Sequence, residues 1–392
     1  MHPEPGVPSA RPRLITPAFV LIGAATLAYF TADGVLLPSV PLYVEGPLGG
    51  DDVAVGFSVA AFAVTALVLR PWAGRLGDRR GRRLLMMFGG AAVAVSVAGY
   101  VAATSVPLMV SFRLVTGLGE AFFFTGAASA INDLAPEARR GEAVSFFSLA
   151  LYIGIGVGPL IGEALIDAGG FTVTWLVAAA CAGLAALLAW AVPETRPPEA
   201  DEAPPARLIH PAALRPGTAL LTSVWGMSGF FAFVPLYALD IGLDGSRFVF
   251  LTYSAIVVAI RLFGARIPDV IGPVLSSRVA LGAASTGLGV VAVWRSPVGL
   301  FVGVSIFAVG SALAFPALMM LALRGTPPSQ RGAIIGTFTA FVDLGFGIGP
   351  ATLGVVSEAF GYLGLFLTAS AVAAGGLALL LHRYRVREPT PA

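Results

Sequence analysis

Gly74-Arg75-Leu76-Gly77-Asp78-Arg79-Arg80-Gly81-Arg82-Arg83 sets five arginines, one aspartate and three glycines between two long apolar runs, in a chain of 392 residues of which only 12% are charged. A basic loop between segments of that apolarity marks the side of a bilayer on which it lies. On both sides of it, apolar segments of roughly 20 residues recur to the ends of the chain, each long enough to cross about 30 Å of hydrocarbon. With 57% hydrophobic residues and a mean hydropathy of +0.86, a soluble fold is excluded and a polytopic membrane protein is expected. The single cysteine, Cys181, lies in an apolar run, so no disulfide framework can form. The net charge of +2 gives no footprint for nucleic acid, because the arginines sit between spans and not on one basic face.

Apolar runs read against turn and charge signals predict twelve helices, over 15–44, 53–76, 84–104, 107–132, 142–166, 172–192, 216–239, 247–268, 277–294, 297–323, 333–358 and 362–382. The first run has no small-residue cleavage site and reads as a retained span. All 24 basic residues are arginine. Nineteen of them (Arg11, Arg13, the five of residues 75–83, Arg139, Arg140, Arg196, Arg207, Arg215, Arg266, Arg278, Arg324, Arg331, Arg383, Arg385 and Arg387) fall in the termini and loops of one side, against Arg247 and Arg295 on the other. The positive-inside rule makes that side cytoplasmic, with both termini on it, and the cell membrane the expected location.

The segment Pro193 to Pro216, PETRPPEADEAPPARLIHPAALRP, is rich in proline and charge and divides six spans from six. The expected organisation is a helical bundle over 1–192, a cytoplasmic linker over 193–215 and a second bundle over 216–392. An offset of 191 residues relates the halves: Arg70, Arg75, Asp78 and Gly81 recur as Arg261, Arg266, Asp269 and Gly272. At the same offset Pro136, Arg140, Gly141, Gly154, Gly158 and Pro159 recur as Pro327, Arg331, Gly332, Gly345, Gly349 and Pro350. Val-Pro-Leu-Tyr also appears twice, at Val40–Tyr43 and Val234–Tyr237. The expected fold class is therefore an all-α membrane protein, twelve transmembrane helices in two pseudo-symmetric six-helix bundles around a central cavity.

These residues resemble the twelve-span branch of the major facilitator superfamily over essentially the whole chain. Gly74, Asp78, Arg79, Gly81, Arg82 and Arg83 match the signature between spans two and three. Gly154, Gly158, Pro159 and Gly162 resemble the span-five pattern of the drug/proton antiporters, and Arg113 with Gly117 and Gly119 resembles their span-four motif. Glu163, where that pattern ends in glycine, and Ser145, where an earlier glycine is common, depart from it. The resemblance implies a conformational latch at Gly74, Asp78, Arg79, Gly81 and Arg82, with Asp269 in a weaker copy. It also implies hinges or seals at Gly154, Gly158, Pro159, Gly349 and Pro350. The residue chemistry alone also allows a solvated turn that sets topology, and glycines that only permit close packing.

Charges inside spans cost on the order of 3 kcal/mol at the bilayer centre and are tolerated toward a cavity. Asp33, Arg113, Glu120 and Asp343 meet that description. Arg113 and Glu120, seven residues apart, share a helix face about 10 Å apart along the axis, too far for a direct pair. Burial and a nearby guanidinium act in opposite senses on a carboxylate, so Asp33 and Glu120 are expected to carry a coupling proton with Arg113 responding to their charge; a fixed polar network is the alternative. Asp343 has three open readings: a cationic substrate group, a second proton, or a cap beside Gly345. Substrate contacts are expected from Asp33, Glu120, Phe123, Phe230, Phe231, Phe233, Tyr237 and Asp343, with lipid-facing aromatics as the alternative. Arg70 and Arg261 are expected to snorkel to lipid phosphate, or else to bond a neighbouring helix terminus.

No phosphate-cradling loop, HExxH pair or nucleophile elbow is present, so an enzyme or ATP-driven pump is not expected. The expected function is proton-coupled efflux of a small organic, amphipathic or drug-like molecule by a monomer without cofactor, driven by the proton gradient. Its partners are the substrate, protons and the lipid bilayer. An importer or facilitator on the same scaffold, and a non-transporting receptor, are the alternatives.

Overall fold

The computed structural model describes residues 14–136, 139–196, 210–264, 266–327 and 330–383. Arg11, Arg13, Arg207, Arg385, Arg387 and linker residues 197–209 lie outside them.

The described residues are helical throughout, without strands: α1 (Pro17–Glu45), α2 (Asp52–Arg80), α3 (Arg82–Gly99), α4 (Val106–Leu134), α5 (Arg140–Ala191), α6 (Pro211–Asp240), α7 (Arg247–Phe263), α8 (Ile267–Ile271), α9 (Pro273–Val293), α10 (Pro297–Leu323) and α11 (Arg331–Arg383). Nine of these segments are long and apolar enough to cross a membrane. Helices α5 and α11, 52 and 53 residues long, would each span about 78 Å if straight, more than twice the hydrocarbon thickness. Each doubles back at one glycine, Gly170 (φ 71°) and Gly361 (φ 66°), a conformation that side chains with a Cβ rarely adopt. Counting their two arms separately, and adding the 17-residue α7, gives twelve crossings.

The duplication is visible in the backbone itself. Gly170 and Gly361 are 191 residues apart, and so are Gly81 (φ 102°) and Gly272 (φ 82°), which join α2 to α3 and α8 to α9. Helix α1 packs along the first arm of α5 as α6 packs along the first arm of α11, and α3 and α9 pack on the two second arms. The bundles meet along two seams, α2 against the first arm of α11 and α7 against the first arm of α5.

Several boundaries differ from expectation by a turn or more, and two of them have a local cause. Helix α6 starts at Pro211, inside the segment expected to be linker. A proline at the first helical turn gives up an N–H that has no partner there anyway, and the His210 Nδ1 caps the end by accepting from the Ala212 N–H at 3.2 Å. The span expected over 247–268 breaks at Gly264, whereas its counterpart α2 runs unbroken. Pro268 stands where α2 has Gly77; it has no N–H for the Gly264 carbonyl and its ring crowds that turn.

Candidate functional site

Five ionisable side chains from four helices meet in the middle of the molecule. Tyr29 and Asp33 lie one turn apart on α1, and the Tyr29 ring stacks on Phe123 of α4 at 4.0 Å between centroids. Glu120, one turn before Phe123, faces the Tyr29 hydroxyl and lies within electrostatic reach of Asp33, Arg70 and Asp343. Arg70 of α2 lies over the Phe124 ring, 4.9 Å from its centroid, and its Nη2 binds Asp343 Oδ1 of α11 at 2.8 Å. Asp33 and Glu120 are half-buried among these helices.

Arg70 is therefore not a lipid-facing residue: its guanidinium crosses the seam between halves. Arg261, its repeat partner on α7, also turns inward, its Cζ 5.2 Å from the Tyr152 ring centroid on α5. The sequence held the signal for both contacts, since Asp343 and Tyr152 are themselves 191 residues apart. Arg113, 4% exposed, donates from Nε to the Ser58 carbonyl and from Nη2 to the Val59 carbonyl, both at 3.1 Å, and lies 4.7 Å from the Phe62 ring centroid. Those bonds tie α4 to α2 while Arg113 stays within the electrostatic reach of Asp33.

The aromatic candidates fall elsewhere than the cavity wall. Phe230 and Phe233 are 0% exposed and Tyr237 1%, with Tyr237 Oη donating to the Val291 carbonyl at 2.8 Å. Phe230 packs on Phe307 and Phe366, and Phe231 on Phe250 and Tyr253, inside the second bundle. Phe123 is also fully buried, behind Tyr29. Aromatic hydrophobicity drew these side chains into helix packing, which hydropathy does not distinguish from a cavity wall.

The stretch expected as a basic loop is helical except at Gly81, and this α2–α3 junction closes on its own half. Arg82 binds Asp78 Oδ1 from Nη1 at 2.6 Å and Asp133 Oδ2 from Nε at 3.1 Å. The Glu194 carboxylate, from just past the end of α5, accepts the Arg82 N–H at 2.8 Å and occupies the space where a side chain on Gly81 would stand. Asp269 and Arg79 are exposed, and around Gly74 there is open space. Gly154 and Gly158 lie in the tight crossing of α1 and α5, against Phe30 and Gly34; Gly349 packs on Ser228, and the Pro350 carbonyl meets Gly56 across the seam. Both arms remain helical through Pro159 and Pro350, and the chain doubles back at Gly170 and Gly361, between the spans expected to end at 166 and 358 and to resume at 172 and 362, where a positive φ is possible.

At the face opposite the arginine-rich loops, the seams are shut. Glu163, 6% exposed, accepts from the Ser246 N–H at 2.7 Å and the Ser246 hydroxyl at 2.6 Å, so a carboxylate from one half caps α7 of the other. On the second seam the Asp52 N–H donates to Glu358 Oε2 at 3.3 Å. Toward the arginine-rich face both seams continue as far as Arg70–Asp343 and Arg261–Tyr152; beyond these, Gly74 and Gly336 each look onto open space.

Comparison with known proteins agrees with this architecture. Residues 22–350 match the model of the Major Facilitator Superfamily. An uncharacterized MFS-type transporter of Salmonella typhimurium is 28% identical over 369 residues, covering 92% of this chain and 94% of the relative. One from Burkholderia mallei is 29% identical over 388 residues, covering 95% and 94%. Among solved structures, the bacterial homolog of the human lysosomal transporter Spinster, inward-facing and occupied, superposes with a TM-score of 0.77 at 15% identity over 95% of this chain and 98% of that one. The human organic anion transporter MFSD10 gives 0.73 at 20% identity over 93% and 100%, which shows a shared fold. Twelve crossings in duplicated bundles, a polar cluster between them and a family match over most of its length place this chain in the Major Facilitator Superfamily, as a multi-pass membrane transporter and not an enzyme.

Proposed function

We propose that the protein is a proton-coupled exporter of a small organic molecule, working by alternating access as a monomer in the cell membrane with both termini cytoplasmic. The observation that carries this reading is the pair Asp33 and Glu120, half-buried carboxylates from two helices beside Tyr29, Arg70 and Asp343. A bare carboxylate is costly in an occluded, low-dielectric cavity, and a proton or an ion pair relieves that cost. Protonation of the pair leaves Arg70 to Asp343 and holds the seam; release of the proton gives Arg70 a second set of partners in its own half. The halves, divided in the 193–215 segment, then rock between an arginine-rich-side opening and one on the far side. Arg113 holds α2 to α4 through that movement, and the Asp78 loop, which here pairs within its own half, is free to engage the other half when the arginine-rich side closes.

Everted membrane vesicles test the proposal. With a pre-formed pH gradient, addition of a carried aromatic amphiphile (ethidium and benzoate as cationic and anionic probes) dissipates the gradient in the wild type. Asp33→Asn and Glu120→Gln lose that response while remaining in the membrane. Full proton-driven flux in both variants sinks the assignment; flux that ignores the gradient identifies a facilitator, and no flux a receptor.

A further inference from the structure

The internal duplication sets two crossings side by side. Positions 70 and 343 meet across one seam, and their repeat counterparts 261 and 152 meet across the other. The backbone arrangement is the same and the chemistry is not. In the first crossing the Arg70 guanidinium is neutralised by Asp343 at 2.8 Å. In the second, Tyr152 stands in the place of the acid, with its ring 5.2 Å from the Arg261 Cζ.

Arg261 is left without a carboxylate in ion-pair distance among the described residues, and its Nε is buried with no hydrogen-bond partner. A guanidinium cannot shed its charge by losing a proton, so a bound anion can supply the counter-charge that no described residue gives at ion-pair distance. Space for one adjoins it: a cavity of about 110 Å³ lies between the halves, lined by Arg261, Ile260 and Gly264 of the α7 end, Pro268 and Pro316 of the second half, and Ser145 of α5. Arg261 is the charged side chain on that wall, and Tyr152, half-buried against the guanidinium but not itself lining the cavity, carries a phenol, which can donate a hydrogen bond. A planar fork of N–H donors complements an oxyanion, and a phenol on the neighbouring helix can add a further donor.

We propose that Arg261 and Tyr152 receive an oxyanion group of the transported molecule, a carboxylate or a phosphate on a small organic body. The ligand there takes the part that Asp343 takes for Arg70. This identification of the ligand as cargo rests on the transport reading, while the anion site itself stands on the geometry. It bridges the two halves at the inner end of the α5–α7 seam.

The test is thermal unfolding of the purified full-length chain in neutral detergent, with benzoate as the anionic probe, benzylammonium as its cationic match and phosphatidylglycerol as a lipid source of the same chemistry. Benzoate raises the Tm of the wild type saturably and benzylammonium does not. Arg261→Gln weakens the apparent benzoate affinity about tenfold or more, the equivalent of one charged hydrogen-bonding partner. Tyr152→Asp gives Arg261 the internal acid that its counterpart has; this variant folds with an undiminished Tm and loses the benzoate response. An equal benzoate response in all three proteins, or none in the wild type, overturns the site. A response to phosphatidylglycerol alone that Arg261→Gln removes assigns the guanidinium to lipid and overturns its role with cargo. The measurement needs no gradient and no flux, so benzoate binding through Arg261 in a chain that moves nothing in vesicles separates the site from the transport reading.

Discussion

A methyl group added at Gly117 of α4 would fall on the Phe62 carbonyl of α2, whereas one added at Gly74 meets nothing within 4 Å. Both glycines belong to family-like motifs, yet in this conformation only Gly117 is required by packing. Gly117→Ala pushes α4 off α2 at the crossing that Arg113 ties one turn away, and is expected to cost about 1–3 kcal/mol. Gly74→Ala removes chain entropy without a clash and is expected to stabilise by about 0.5–1 kcal/mol. The two Tm values, measured in detergent, check both signs. Asp33, Glu120 and Asp343 could be picked out from sequence because charges in apolar runs are rare. The partner of Arg70 could not be named from hydropathy, which favours lipid phosphate for an arginine near a span end; only the repeat hinted at the contact, and the seam decides it.

Helix ends repeat this division at the level of elements. The start of α3 has no side chain of its own to cap it; Gly81 gives it a left-handed entry, and Glu194, reaching in from just past the end of α5, accepts from the Arg82 and Arg83 N–H groups, which have no partner within the helix. Glu194→Ala should lower stability by about 1 kcal/mol or less, the cap being solvent-accessible, and the loss should shrink at high salt. An unchanged Tm at low salt argues against the cap. The sequence held this loop's glycine and arginines in plain view but not Glu194, because a cap that reaches across from another helix leaves no local pattern. Pro268 shows the opposite case: its effect is local and sterically compulsory, so the break of α7 was legible, though apolar periodicity alone carried the expected span past it.

The two ends of the whole molecule differ in how they are held. The far end is shut by Glu163 on the α7 N-terminus, a departure from the family-like pattern that acquires a purpose only when the other half is placed against it. Charge-assisted bonds of this kind are worth about 1.5–3 kcal/mol each, so Glu163→Ala should raise the population open at the far face about tenfold or more. Ser254, 3% exposed on the same seam against Gly156, reports it. In a Cys181→Ala background, Ser254→Cys should react with a membrane-impermeant maleimide about tenfold faster when Glu163→Ala is added. An equal labelling rate means that Glu163 does not hold the gate.

Sequence alone determined the number of crossings, the arginine-rich side, the duplication and the identity of the intramembrane charges, because lipid imposes length, apolarity and charge asymmetry on each segment independently of the others. Tertiary structure alone decided which charges meet, which aromatics are core and which glycines are seams. Those outcomes depend on how two copies of one bundle are turned toward each other. The crossing of positions 70 and 343 with positions 261 and 152 exists only once the halves are docked, and there the same pair of repeat positions carries an ion pair on one seam and a guanidinium against a phenol ring on the other.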